Sequence, residues 1–237
     1  MNELLIFTNY YSKFVSSVDA ISSKYDHTFR VINYAKDIAE SLNLPESDIN
    51  TAKVCALFHD IGRFGQYEKY HTFIDAISID HGDYGYEILK KANYNNETVL
   101  NAVKYHNKYS IPSNLSERDK MFCKITRDAD KIDIMNTQGN TCDADKFELP
   151  DFVYDAFKNH KLITNSDTDT NSKLIDVFRL LAFIFDINYR RSFELVEAYD
   201  IVNTKCNMLY DKYHDERIND IRNICNKYVM DKINNKE

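Results

Sequence analysis

The sequence predicts an all-α protein that forms a helical bundle in a single domain. Only five Gly and three Pro occur in 237 residues, which leaves little material for tight turns and hairpins. Long stretches instead carry apolar residues three and four positions apart, the spacing of a helix with one buried face. The hydrophobic content of 43% and the charged content of 28% are those of a globular chain with one substantial core.

The first predicted elements are two amphipathic helices. Residues 3–24 carry apolar groups at mixed spacing, which indicates a helix with a ragged start. A second helix is predicted to begin at Asp26, an N-cap candidate, and its apolar stripe includes Val31 and Ala35. His27 lies on the same face as this stripe, so a polar group points toward the core. Taken alone, it fits a core histidine bonded to a backbone carbonyl better than a metal ligand.

The stretch Leu-Phe-His-Asp-Ile-Gly-Arg-Phe, residues 57–64, places two metal-competent side chains in an apolar run. Helical spacing upstream puts His59 and Asp60 on the last turn of a core-facing helix, which Gly62 can end as a C-cap. Burying an unpaired carboxylate costs several kcal/mol, whereas coordination of a cation by a carboxylate and an imidazole turns that cost into binding energy. A core histidine beside a surface aspartate is the competing interpretation.

Two further histidines end or begin apolar stripes. Residues 63–80 have poor periodicity and many aromatics, which predicts a long loop with one short turn. A helix follows with His81 on the inner face of its first turn, and Gly85, one turn on, allows a close helix approach. The next helix, predicted for about residues 97–108, has His106 at the end of its stripe.

The remaining chain adds one more inward-facing acid. A capping pattern at Ser116 opens a helix that runs through Asp128-Ala-Asp-Lys, and in it Asp130 is an inward-facing candidate. Residues 136–172 are rich in Asn, Asp, Thr and Gly and predict a loop-rich excursion. Helical periodicity returns over residues 173–235, without an internal repeat.

The charge and cysteine content limit the function classes. A formal net charge of -7 disfavours an extended nucleic-acid surface, which needs clustered Lys and Arg. The five cysteines contain no C-x-x-C and are typical of reduced thiols in a cytosolic protein. The N-terminus has no signal-peptide pattern, and no apolar run approaches the length of a membrane span. The sequence therefore predicts a cytoplasmic protein without a membrane partner, and it leaves the oligomeric state open.

The inward-facing polar groups form a set that packing alone does not explain, because imidazole is only intermediate in its preference for burial. Imidazole and carboxylate together suit Mn, Fe, Co, Ni or Zn, and the absence of thiolates argues against a structural zinc site. The predicted set consists of His27, His59, Asp60, His81, His106 and Asp130.

The order H…HD…H…H…D, with Leu-Phe-His59-Asp60-Ile-Gly-Arg63 and Asp128-Ala-Asp130-Lys131, resembles the HD-domain metal-dependent phosphohydrolase superfamily over about residues 20–135. The resemblance implies an HD-domain-like helical bundle with a metal site in its core.

By the same resemblance, His27, His59, Asp60 and Asp130 are the ligands of a first metal. In members with two metals, Asp60 bridges, and His81 and His106 complete the second site. The chain departs from HD-GYP relatives, because His106 is followed by asparagine and the Gly-Tyr-Pro signature is absent. This departure argues against cyclic-di-GMP phosphodiesterase activity.

The implied activity is hydrolysis of a phosphate ester of a small molecule, such as a nucleotide, by a metal-activated water. Two divalent transition-metal ions are favoured over one. Asp60, Arg63 and Lys131 are the predicted catalytic residues. The positively charged side chains of Arg63 and Lys131 would neutralise charge on the phosphoryl group. A helix-end charge is the alternative for Arg63, and a salt bridge is the alternative for Lys131. A diiron oxygenase of the HD fold and a non-catalytic nucleotide sensor are the alternative functions.

Overall fold

The computed structural model describes residues 2–14, 19–146, 149–164 and 173–235, and within these ranges it contains helices and no strand. The predicted all-α class is thereby confirmed. The α-helices are α1 (Glu3–Tyr11), α2 (Asp19–Ser41), α3 (Glu46–Phe58), α4 (Ile61–Tyr70), α5 (His81–Lys91), α6 (Glu97–Tyr105), α7 (Glu117–Thr137), α8 (Asp151–Lys158), α9 (Lys173–Leu181), α10 (Arg190–Ala198), α11 (Ile201–Tyr213) and α12 (Glu216–Asn234).

The chain divides into two compact units, residues 1–130 and 131–237. The boundary falls inside α7. The organisation expected from the sequence, one domain over residues 1–237, stays a prediction.

The first unit is built by packing the apolar faces of short helices. Helix α2 packs against α3, and α5 packs against both α4 and α6. Val31, Cys55, Leu100 and Val103, from three of these helices, are fully buried. Burial of such side chains contributes about 1.5 to 3 kcal/mol each, so these helices are held mainly by their shared core.

The N-terminal helices differ from the prediction. Helix α1 ends at Tyr11 and a 3₁₀ turn follows, while α2 begins at Asp19; residues 15–18 lie outside the described residues. Asp26 is therefore an interior residue of α2 and not its N-cap. The buried Ile21 extends the apolar face of α2 toward the N-terminus, which explains the earlier start.

The long loop predicted for residues 63–80 is wrong over its first half. Helix α3 ends at Phe58, and α4 occupies Ile61–Tyr70, so Gly62 lies in the first turn of α4 and is not a C-cap. The buried Ile61 and Phe64 form an apolar face that the surrounding aromatic residues obscured in the sequence.

Two glycines let α4 and α5 approach each other closely. A Cβ atom on Gly62 would lie 2.3 Å from the carbonyl oxygen of His81 and 2.9 Å from the backbone nitrogen of Gly85. A Cβ atom on Gly85 would lie 3.0 Å from the Cγ1 atom of Val103. The approach predicted at Gly85 is therefore present, and it sets the position of the first residue of α5, His81.

The second unit has its own buried core. Its interior includes Phe157 of α8, Phe178 of α9, Cys206 of α11 and Ile221 of α12, all fully buried. Helix α8 lies in the predicted loop-rich excursion, part of which falls outside the described residues, and α9 to α12 occupy the region predicted to be helical. All five cysteines of the chain are buried free thiols, as expected for reduced residues.

We expect Gly62→Ala to destabilise the fold by about 1 to 3 kcal/mol, because the added methyl meets backbone atoms that cannot move independently. Gly85→Ala should cost less, because the side chain of Val103 can shift. Thermal unfolding of both metal-free variants, followed by circular dichroism, measures which substitution destabilises the fold more. A Gly62→Ala variant as stable as the wild type would contradict the close approach.

Candidate metal centre

Two helices of the first unit are followed directly by a buried histidine. His59 directly follows α3 and His106 directly follows α6. Their ring Nδ1 atoms lie 2.6 Å from the carbonyl oxygen of Ala56 and 2.7 Å from that of Val103, respectively. Because a carbonyl only accepts, each Nδ1 carries the hydrogen. Both carbonyls belong to a last helical turn, which lacks amide partners. The Nε2 atom of each buried ring is left as a free acceptor.

A first group of donors forms around His59. His27 on α2 places its Nε2 atom 3.2 Å from the Nε2 atom of His59 and 3.1 Å from the Oδ1 atom of Asp130 on α7. The Oδ2 atom of Asp60 lies 3.5 Å from the Nε2 atom of His27 and 3.6 Å from that of His59. The structure thus brings together His27, His59, Asp60 and Asp130, which we call the first group.

A second group forms on the other oxygen of Asp60. The Oδ1 atom lies 3.3 Å from the Nε2 atom of His81 and 3.6 Å from that of His106. The two Nε2 atoms are 2.9 Å apart. His81 is the first residue of α5, whose N-cap is Asp80. We call Asp60, His81 and His106 the second group.

Asp60 is a buried anion that belongs to both groups. It connects α3 to α4, and only 3% of the residue is exposed. Burial opposes ionisation, but the Lys24 ammonium and the neighbouring His59, His106 and Arg63 hold the pKa of Asp60 well below its usual value. The carboxylate is therefore charged at neutral pH, and each of its oxygens faces two imidazoles.

Asp130 is also ionised. Burial opposes its charge, but the neighbouring imidazoles of His27 and His59 hold the pKa of Asp130 well below its usual value. The first group therefore carries two negative charges, which favours a cation over neutral ligands.

The donor set fits a bound cation. The Nδ1 atom of His81 lies 2.7 Å from the Oδ2 atom of Asp75, and burial lowers the pKa of His81 to about 4 in spite of this bond. With the hydrogen of His81 and that of His106 both on Nδ1, no hydrogen lies between their facing Nε2 atoms. Ligands that share a cation at about 2.1 Å are themselves about 3 to 3.4 Å apart. The observed separations are close to this range, so both groups have the chemistry and spacing of metal ligands.

Lys24 was not predicted from the sequence. Its Nζ atom lies 2.8 Å from the Oδ2 atom of Asp60, and it lies on α2 one turn before His27. The misplaced start of α2 hid this position, because a helix beginning at Asp26 does not include Lys24. A correct helix start would have placed Lys24 beside the predicted metal site.

Asp75 was also missed, because it lies in a loop without periodicity. Its carboxylate accepts hydrogen bonds from His81, at 2.7 Å, and from Arg63, at 2.9 Å. Burial opposes its charge, but the hydrogen bond from His81 and the charge of Arg63 hold the pKa of Asp75 below its usual value. Asp75 is therefore an anion that contacts both a member of the second group and a predicted catalytic residue.

The two predicted catalytic cations have different surroundings. The Nε atom of Arg63 lies 3.5 Å from the Oδ1 atom of Asp60, and its Nη1 atom donates to Gln66 at 2.8 Å. Lys131 belongs to the second unit and forms an ion pair with Asp186 there, at 2.9 Å. Arg63 thus lies next to the carboxylate shared by both groups, and the catalytic role of Lys131 stays a prediction.

The first unit is thus an all-α unit with a buried cluster of imidazoles and carboxylates that could hold a metal ion. Residues 25–135 match the model of the HD domain family, which confirms the resemblance to the HD-domain metal-dependent phosphohydrolases. HD domains bind divalent metals, and the family consists mostly of metal-dependent phosphohydrolases. No curated protein and no solved structure matches the chain. None of the helices in the described ranges combines the length and apolar character that crossing a membrane requires.

We expect His27→Ala to remove metal from the first group and to leave α2 folded, because alanine has the highest helix propensity. Metal analysis and far-ultraviolet circular dichroism measure the two effects. His71→Ala, which changes an exposed histidine, is the control. Cooperative loss of all secondary structure in His27→Ala would instead support the interpretation of His27 as a core histidine.

Proposed function

We propose that this protein is a metal-dependent phosphohydrolase that hydrolyses a phosphate ester of a small molecule, such as a nucleotide, at a centre of two divalent cations. The observation that carries the proposal is the position of Asp60, whose Oδ2 atom faces the first group and whose Oδ1 atom faces the second. A carboxylate in this position could serve as a ligand in both groups.

In this proposal the first group holds one cation, the second group holds the other, and Asp60 belongs to both. The nitrogen and oxygen donors suit Mn, Fe, Co, Ni or Zn. When bound, such cations lower the pKa of water toward neutrality and bind phosphoryl oxygens. The ligands of the proposed centre are His27, His59, Asp60, His81, His106 and Asp130.

The chain also supplies cationic side chains for a phosphoryl group. Lys24 and Arg63 flank Asp60, and each side chain is 15% exposed. The ring of Phe73 supports both, with its centroid 5.5 Å from the Nζ atom of Lys24 and 5.8 Å from the Cζ atom of Arg63. Partly exposed cations beside a metal centre can stabilise the charge that grows on a phosphoryl group. We assign this role to Arg63 and Lys24, and we retain Lys131 as a third candidate.

The proposed substrate is a small molecule in the cytoplasm and not a nucleic acid or a membrane component. The net charge of -7 supports this choice, because it opposes attraction to extended phosphate backbones. A small anion remains compatible with this charge, since the cations supply local positive charge.

We expect Asp60→Ala to abolish phosphate release and to strip the metal, because it removes one ligand from each group and no neighbouring side chain can replace it. The measurement combines metal analysis of anaerobically purified protein with a phosphate-release screen of nucleotides and other small phosphate esters. Asp83→Ala removes a half-exposed carboxylate and serves as the control. Wild-type metal content in Asp60→Ala would rule out the shared carboxylate.

His81→Ala distinguishes two cations from one. We expect His81→Ala to lower the metal content by about one ion per chain. We also expect it to lower kcat by at least about 100-fold, the typical effect of removing a group that stabilises the transition state. The cation of the first group should remain. One ion in both wild type and variant would show that the second group is not a metal site.

A further inference from the structure

The carboxylate of Asp75 lies in the short connection between α4 and α5. It begins a 3₁₀ turn, Asp75–Ile77, and four donors converge on it. The Oδ2 atom accepts from His81 at 2.7 Å and from the Nδ2 atom of Asn107 at 3.1 Å. The Oδ1 atom accepts from Arg63 and from Gln66, both at 2.9 Å. Two bonds on each oxygen fix the orientation of the carboxylate.

This arrangement distinguishes His81 from the two buried histidines that follow helices, His59 and His106. His59 and His106 donate from Nδ1 to carbonyl oxygens of their own helices, whereas His81 donates to a charged carboxylate from another element. A charged acceptor holds the Nδ1–H tautomer more strongly than a carbonyl and makes the opposite ring nitrogen a better electron-pair donor.

We propose that Asp75 is a positioning residue for the second group. Its Oδ2 atom fixes the tautomer and ring orientation of His81, so that the Nε2 atom is directed toward the Oδ1 atom of Asp60 and toward a shared cation. This inference rests on the proposed two-cation function and adds to it the residue that sets the affinity of the second cation.

The connection has other anchors that do not depend on Asp75. Gln66 is fully buried, and its Nε2 atom also donates to the Oγ atom of Ser78 at 2.8 Å and to the carbonyl oxygen of Ile79 at 2.9 Å. The N-cap bond from the backbone of Asp83 to Asp80 holds the start of α5. A variant of Asp75 should therefore keep the fold of this region.

The test is a titration of metal-free protein with Mn²⁺, monitored by calorimetry, for the wild type and Asp75→Asn. The asparagine keeps the size of the side chain and removes its charge. We expect the affinity for the second cation to fall about 10- to 100-fold, the effect typical of losing the partner of a ligating histidine. The affinity for the first cation and the melting temperature of the metal-free protein should not change.

Asp80→Asn is the matched control. It removes a carboxylate that precedes His81 directly, and asparagine is an equally good N-cap. Asp80 accepts from Asn107 and from the backbone of Asp83 and forms an ion pair with Lys108 at 2.6 Å, and in the described residues it has no hydrogen bond to the His81 ring. We expect this variant to bind both cations with the affinities of the wild type. The control thereby shows whether the loss of any nearby negative charge weakens cation binding, or only the loss of the hydrogen bond between Asp75 and His81.

The outcomes separate the two proposals. If the wild type binds two Mn²⁺ ions and Asp75→Asn binds both with unchanged affinity, the positioning role is wrong and the two-cation centre stands. If the wild type binds fewer than two ions, both are wrong. If Asp75→Asn does not fold, nuclear magnetic resonance of metal-free wild-type protein labelled with ¹⁵N-histidine decides instead. The Nδ1–H tautomer of His81 supports the proposal, and the Nε2–H tautomer overturns it.

Discussion

The first unit depends on the burial of one ionised carboxylate, that of Asp60. A buried, uncompensated charge costs several kcal/mol, and removing one partner of a buried pair is strongly destabilising. Here the ammonium of Lys24 and the guanidinium of Arg63, from α2 and α4, compensate the charge, and in the proposed centre the bound cations would do so as well. The positions of α2, α5 and α6 around the α3–α4 connection can therefore be understood as the arrangement that surrounds this charge.

Residues at helix ends supply three of the imidazoles that surround Asp60. His59 and His106 each donate a hydrogen bond to a carbonyl in the last turn of the preceding helix. The same hydrogen bond caps the helix and directs the Nε2 lone pair inward. His81 occupies the opposite end of its helix, and its position follows from the contact between Gly62 and the backbone of α5. A side chain at position 62 would separate α4 from α5, and with them Asp60 from His81.

The sequence was informative wherever a residue belonged to a strongly periodic segment. His27, His81 and His106 lie on or at the ends of clear apolar stripes, so their inward direction could be predicted, and the HD resemblance supplied their grouping. The N-terminal end of α2 and all of α4 were misjudged, because aromatic residues and glycines weaken the helical pattern there. Asp75 has no local signal of any kind, since its importance comes only from the tertiary contacts of its carboxylate.

The two donor groups consequently differ in what holds them. His27 and Asp130 lie within long helices, where backbone hydrogen bonds on both sides fix the side-chain positions. His81 and His106 lie at helix ends, and His81 is oriented from a ten-residue connection, residues 71–80, in which most side chains are at least partly exposed. Regions with few buried apolar contacts open locally at lower free energy than helix interiors. His27 and Asp130 of the first group are thus fixed by helix interiors, whereas His81 of the second group is oriented by a largely exposed connection.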